Sequence, residues 1–222
     1  GGGGNTVRNI TASPSAGADT GEPFDVSPYV FALTSRFLAE ADSWLLPRKF
    51  KIAFSNTEAD TEQAAFQDVG FVATRKDDRP GFIVFLAGGL GAKPALGQLV
   101  HDFLPAEEVY VAAEAVKRLF NRYGNRRNKH RNRLRFLWED MGEQAFLEQY
   151  RFFLAEVRAT NPAPLEWQAV APEPLGVLPL PVQDDGAEFE RWQRRYVLPH
   201  RRPGFRQVLF PVPNGNLPQG RT

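Results

Sequence analysis

Cysteine is absent from this 222-residue chain, and histidine occurs only three times. Without a thiol there is no disulfide, no thiolate nucleophile, no cysteine-ligated zinc and no ligand for an iron–sulfur cluster. His101, His130 and His200 are scattered without the spacing of a metal site, so no metal ligand is assigned. No apolar run approaches the length of a membrane span, and no charged-then-apolar signal segment opens the chain. A cytoplasmic location is therefore the expectation, with no membrane partner. Acids are also missing locally: none lies between Glu114 and Glu139, a stretch that carries Arg122, Arg126, Arg127, Lys129, Arg131, Arg133 and Arg135.

With 42% hydrophobic and 24% charged residues, the chain is long enough to bury a core as one or two domains. Its net charge is only +1, so the basic run is a local feature offset by acids elsewhere. A dedicated nucleic-acid binder more often carries its excess over the whole domain. Both ends read as cut. The sequence opens GGGGNTVRNI with no initiator Met and stops at VPNGNLPQGRT after what reads as a lone, unpartnered strand, so a fragment or processed piece is the expectation.

The pattern alternates strands and helices. TVRNIT reads as a short strand, and SPYVFALTSRFLAE as a helix with Ser27 as its N-cap and Pro28 in its first turn. KFKIAFSN reads as a strand, DTEQAAFQDV as a short helix, and FVATRK and GFIVFLAGG as strands joined by the turn segment DDRPG. PALGQLVHDF is predicted to be a helix, as is PAEEVYVAAEAVKRLFNRYG, which has acids at its start, cations near its end and Gly124 as a stop. The acid-free run is expected to continue into HRNRLRFLWEDM as another helix, and GEQAFLEQYRFFLAEVRA makes the next. From Asn161 to Pro181 the chain turns proline-rich and reads as a linker; EFERWQRRYVLP and GFRQVLFPVP then open a second, unfinished unit.

Four segments could carry chemistry. TVRN sets Arg8 in a glycine-rich surrounding that would let backbone approach a ligand, although an ordinary surface arginine fits as well. LPRKFKIAF groups Arg48, Lys49 and Lys51; on a strand the two lysines share a face while Phe50 points away. Partly desolvated, such a pair repels by on the order of a kcal/mol, a penalty that an anion between them reverses. The alternative is a solvated strand face. AGGLGAKP has neither the GK[ST] ending nor the GxGxxG spacing of a nucleotide loop, which leaves Gly88, Gly89 and Gly91 as a turn able to present N–H groups to an anion, or as a purely structural turn. The run from Arg122 to Arg135, if helical, stacks Arg127, Arg131 and Arg135 on one face. Its self-repulsion asks for a polyanion, either RNA or a cofactor rich in carboxylates.

In chain order, GNTVRNITASPSAG, DVSPY, LPRKFK, QDVGFVA, AGGLGAKP, VAAEAVKRLFNRYGNRRNKHRNRLRFL, EDMGEQAFLEQ and FERWQRRYVLPHRRPGF resemble the siroheme-dependent nitrite and sulfite reductases across nearly the whole chain. The resemblance implies an α+β fold, a mixed sheet with flanking helices forming a siroheme domain over 1–159, a Pro-rich linker over 160–187, and the start of a truncated ferredoxin-like half domain over 188–222. It implies that Arg8, Lys49 and Lys51 bind the oxyanion and deliver protons, and that Arg48, Gly88, Gly89, Gly91, Asn125 and Arg126 lie close to the macrocycle. It also implies reduction of nitrite to ammonia or sulfite to sulfide by six electrons, with ferredoxin as donor, and a missing remainder of the same polypeptide that supplies the four cysteines of a 4Fe-4S cluster. RKFK, with lysine at both positions, looks more like the sulfite branch, whereas NITASPSAG is close to sequences of the nitrite type. Two other readings stand beside this one. An RNA-binding module could use the 122–135 run, although it would lack an aromatic stacking platform. A non-catalytic structural half of such a reductase is the other.

Overall fold

In a computed structural model, residues 4–91, 93–167, 186–210 and 212 are described. The chain divides into two units, Gly1–Gly17 with Gly21–Ala169, and Ala18–Thr20 with Val170–Thr222.

The larger unit is built on a five-stranded mixed sheet in the order β1-β2-β3-β4-β5. β1 (Val7–Ala12), β2 (Phe50–Ser55) and β3 (Val69–Lys76) run parallel; β4 (Arg79–Leu86) and β5 (Gln98–Pro105) continue antiparallel. Asp77 and Asp78, with φ of 50° and 62°, close the β3–β4 hairpin. Two central residues in the left-handed region are what a tight turn matched to strand twist demands, and short aspartates tolerate it. β2 is nearly all buried, as expected for a strand with a neighbour on each side and an apolar face against helices.

The helices are α1 (Ser27–Ala39), α2 (Val109–Tyr123), α3 (Leu134–Met141) and α4 (Glu143–Ala159). Phe50, Phe54, Phe71, Phe82 and Phe120 are fully buried and pack ring against ring between sheet and helices. α2 is the central helix. It buries Lys117 completely, and the ammonium donates to Glu40 at 2.6 Å and Asp42 at 2.8 Å and pairs with Glu114 at 2.9 Å. Of the smaller unit, α5 (Gly186–Tyr196) leads into a hairpin of β6 (Val197–Pro199) and β7 (Arg206–Val208).

Several local expectations are corrected. PALGQLVHDF contains β5 rather than a helix. Leu96, Leu99, Val100, Phe103 and Leu104 mimic helical spacing, but pairing with β4 overrides it and leaves Leu99 exposed at the sheet edge. DTEQAAFQDV forms only a single 3-10 turn, Ala64–Phe66. Here Asp60 and Gln63 adopt positive φ, and the Asp60 carboxylate accepts the N–H groups of Ala64 at 2.6 Å and Ala65 at 3.1 Å, which competes with helix propagation. The N-cap of α1 is Val26, which makes no side-chain cap hydrogen bond, so Ser27 is the first helical residue rather than the cap; the Asp25 carboxylate ahead of it accepts the Ser27 N–H at 2.9 Å. The strand at Arg206–Val208 is not alone but pairs with Val197–Pro199. Most of the expected linker, residues 168–185, and the C-terminal 213–222 lie outside the described residues.

The basic run is corrected as well. Residues 124–133 are not helical, so Arg127, Arg131 and Arg135 share no helical face. Asn125 Oδ1 accepts the N–H groups of Arg127 and Asn128, both at 2.9 Å, and Asn128 Oδ1 accepts that of His130 at 3.0 Å. Side chains that satisfy the backbone in this way favour a chain of turns.

Candidate functional site

Arg8, Lys49 and Lys51 come together through one irregularity of the sheet. In the β1–β2 ladder Val7 faces Phe50 and Asn9 faces Lys51, so Arg8 is the extra residue of a bulge. A bulge re-aims its side chain relative to the pleat. Phe50 is buried in the core, which leaves the half-buried Lys49 and Lys51 on the other side. Burial, followed by the positive charges of Arg133, Lys51 and Arg8, pulls the Lys49 ammonium below the ordinary lysine range, while Asp68 opposes that shift. Among the described residues, neither lysine ammonium has an ion-pair partner. Arg8 donates from Nη2 to the Gly4 carbonyl at 3.1 Å, and its buried Nε finds no partner among the described residues.

Arg133 joins this group from the loop ahead of α3. Its Nη2 lies 2.8 Å from Asp68 Oδ2 and its Nε donates to Oδ1 at 3.3 Å, a bidentate clamp on a carboxylate with no exposed surface. The same Oδ2 accepts Lys51 N–H at 2.9 Å. Burial pushes the Asp68 carboxyl up; the Arg133 guanidinium and the Lys51 amide pull it back.

The glycine turn lies against Arg135, whose Nη1 donates to the carbonyls of Gly89 at 3.1 Å and Leu90 at 3.2 Å. A Cβ on Gly88 would sit 2.4 Å from the Ala65 carbonyl oxygen, so only glycine allows that approach. Gly91, at φ +128°, needs the conformational freedom of glycine. Burial and then the charge of Arg133 pull the Arg135 guanidinium down, and its Nε is buried without a partner among the described residues.

The remaining sequence-derived residues are Arg48, Asn125 and Arg126. Arg48 is exposed. Arg126 donates to the carbonyl of Leu45 from both Nη atoms at 3.2 Å and is bonded to Asn121, and Asn132 Nδ2 reaches the Pro47 carbonyl at 3.3 Å. Asn125 turns its side chain onto its own loop. The loop thus braces the segment 45–47 that leads into Arg48 and Lys49. Asp68 carries no signal of a role in the sequence, and Arg133 and Arg135 stand out there only as members of a basic run. An isolated acid in QDVGFVA gives no sign that it lies beneath cations, because its partner Arg133 is 65 residues away.

The arrangement is a mixed α+β domain whose strand starts and one loop concentrate cations around a single buried carboxylate. The chain belongs to the nitrite and sulphite reductase family, since the family model for the nitrite and sulphite reductase 4Fe-4S domain matches residues 3–154. It is 34% identical over 167 residues to sulfite reductase (ferredoxin) 1 of Mycolicibacterium paratuberculosis, covering 73% of this chain and 30% of that protein. To the ferredoxin–nitrite reductase of Synechococcus elongatus it is 29% identical over 222 residues, covering 95% of this chain and 38% of the relative. The solved structure of the NirA protein of Mycobacterium tuberculosis superposes with a TM-score of 0.59 at 30% identity, over 78% of this chain and 30% of that one. The chain therefore spans about a third of the length of these relatives.

Proposed function

We propose that this chain supplies the oxyanion-binding wall of a siroheme-dependent reductase that converts sulfite to sulfide or nitrite to ammonia. Residues 1–159 would form the siroheme domain, 160–187 the linker, and 188–222 the opening of a ferredoxin-like part. Ferredoxin is proposed as the electron donor because sulfite and nitrite reductases similar to this chain carry it in their names.

The observation that carries the reading is the crowding at Lys49. The β1 bulge brings Arg8, the clamp on Asp68 brings Arg133, and the strand brings Lys51; burial first and then these three charges disfavour the Lys49 ammonium, while Asp68 opposes them. Holding like charges together in a half-buried place is unfavourable until an anion arrives, so the site is preorganised for a small oxyanion. Lys49 and Lys51 hold the anion and stabilise the charge that builds on its oxygens as each is lost as water. A lysine whose pKa is pulled down also gives up its proton more readily and can protonate a departing oxygen.

The residues also fit a carboxylate-rich macrocycle. Arg135 has an orphaned buried Nε beside the glycine turn, and Arg8 has another. Siroheme, when bound, would supply the electron-transferring iron; Arg135 would hold one of its carboxylates, and Gly88, Gly89 and Gly91, the Gly89 N–H being taken by the Ala95 carbonyl at 2.9 Å, would lie close to the macrocycle, with Arg48, Asn125 and Arg126 toward its edge. An iron–sulfur cluster does not fit the donor set of this chain, which contains no cysteine. No step is assigned to one.

The RNA-binding reading finds no support. Arg131 pairs with Glu139 at 3.3 Å and Asp140 at 2.6 Å, Arg133 with Asp68, and Arg126 with backbone, so the run is no continuous free cationic face.

The test is Lys49→Met in the complete enzyme. Siroheme absorption is retained and turnover falls by about 100-fold or more, the scale of removing one preorganised donor. Unchanged turnover removes Lys49 from the role.

A further inference from the structure

Asp68 touches three of the segments that build the site. Its side chain accepts Lys51 N–H and both donors of the Arg133 fork, and its carbonyl accepts Ala87 N–H at 2.9 Å, one residue ahead of Gly88. It is fully buried. The sheet does not need a charge there: the β2–β3 register begins at Ile52 and Val69, past this residue, and runs through backbone pairs. A buried carboxylate is unfavourable unless paired, and a neutral side chain could accept the Lys51 N–H with less desolvation. What the carboxylate adds is the hold on Arg133.

We infer that Asp68 is a positioning residue for the oxyanion: its carboxylate fixes the Arg133 guanidinium and the Lys51 backbone, and so sets the spacing of the cations that receive the substrate. The inference rests on the function proposed above and names a residue through which that site is held. With no exposed surface, Asp68 acts through the neighbours it holds. The clamp turns Arg133 inward, which leaves Lys49 and Lys51 as the lysines free to take an anion. It also tempers the repulsion at Lys49, which faces Arg133 from the loop ahead of α3, Lys51 from β2, Arg8 from β1 and Asp68 from the start of β3. Removing the negative charge leaves the three cations unopposed, so Lys49 loses its proton at a lower pH than before.

The experiment uses Asp68→Asn in the complete enzyme, with sulfite and nitrite as probes titrated calorimetrically. It is accompanied by the pH profile of kcat/KM, circular dichroism and siroheme content. The expected result is a folded, pigmented enzyme with anion affinity weakened about tenfold, as displaced binding groups produce, and an alkaline limb shifted to lower pH. A purely structural residue would move neither readout. Arg133→Lys keeps the charge pair but loses the fork, and is expected to weaken anion binding to a smaller degree; it carries the test if Asp68→Asn does not fold. Wild-type affinity and an unmoved alkaline limb in a folded variant overturn the inference, and so does loss of folding in both, which would assign Asp68 to stability alone. A wild-type enzyme that takes up siroheme yet binds neither anion overturns the proposed function and this inference together. One that binds both, while folded Asp68→Asn binds them equally well, overturns the inference only.

Discussion

Lys49 sits where charge is unfavourable, and a side chain held there should trade stability for chemistry. Its lowered pKa means that the folded chain disfavours the charged form relative to the unfolded chain. The penalty is fully present below the lowered value and vanishes above the ordinary 10.5, so stability rises with pH across that window. Lys49→Met therefore raises the thermal midpoint at neutral pH by roughly 2–4 °C for each kcal/mol of repulsion relieved. The gain fades toward alkaline pH. Scanning calorimetry on the siroheme-free protein at pH 7 and pH 10 checks both the sign and the trend. Stabilisation together with lost turnover would be the signature of a site strained for function.

At the scale of elements, α2 depends on a buried ion network and α4 on a hydrogen bond to the sheet. Burial works against the Lys117 charge, yet Glu114, Asp42 and Glu40 overcome it and hold the ammonium above the ordinary lysine value. A raised lysine contributes stability that is complete below pH 10.5 and is lost as pH rises through the folded value. Lys117→Met removes the cation that Glu40, Asp42 and Glu114 share, leaving only Arg36 on Glu40 and Arg118 on Glu114, and should cost about 3–5 kcal/mol. Urea unfolding with an unchanged slope is the measurement. On the sheet side, His101 Nε2 and the Tyr150 hydroxyl lie 2.9 Å apart, joining β5 to α4. Burial, then Arg158, lowers the His101 pKa from 6.5. The fold therefore prefers neutral His101, and stability falls as pH drops below about 6.5 toward the lowered value. His101→Gln should flatten the loss of thermal midpoint between pH 7 and pH 5.5, and an unchanged slope would remove His101 from that role. The difference between these elements and the ones misread is locality. α1, α2 and α4 announce themselves through repeats within their own length, whereas β5 carries a helical repeat and becomes a strand only because β4 offers an edge.

At the scale of the molecule, the basic loop works as a brace. Arg126 and Asn132 hold the carbonyls of Leu45 and Pro47, and that segment delivers Arg48, Lys49 and Lys51 to the sheet. Arg126→Glu replaces the brace with a charge that repels both the carbonyls and a carboxylate-rich cofactor. Siroheme content per polypeptide, read from absorption, is expected to fall at least several-fold, and normal content would clear Arg126 of any part in the wall.

The amino-acid sequence by itself determined what chemistry is available: cations able to hold an anion, and no thiolate for a metal cluster, since these are properties of side chains wherever they lie. It also determined the elements whose polar and apolar residues repeat at the period of a helix or a strand. Only the tertiary structure decided which cations meet. The bulge at Arg8, the clamp of Arg133 on Asp68 and the seat of Arg135 under the glycine turn join residues far apart in the chain. Such contacts arise from strand register and from burial of charge against charge, neither of which leaves a local mark in the sequence.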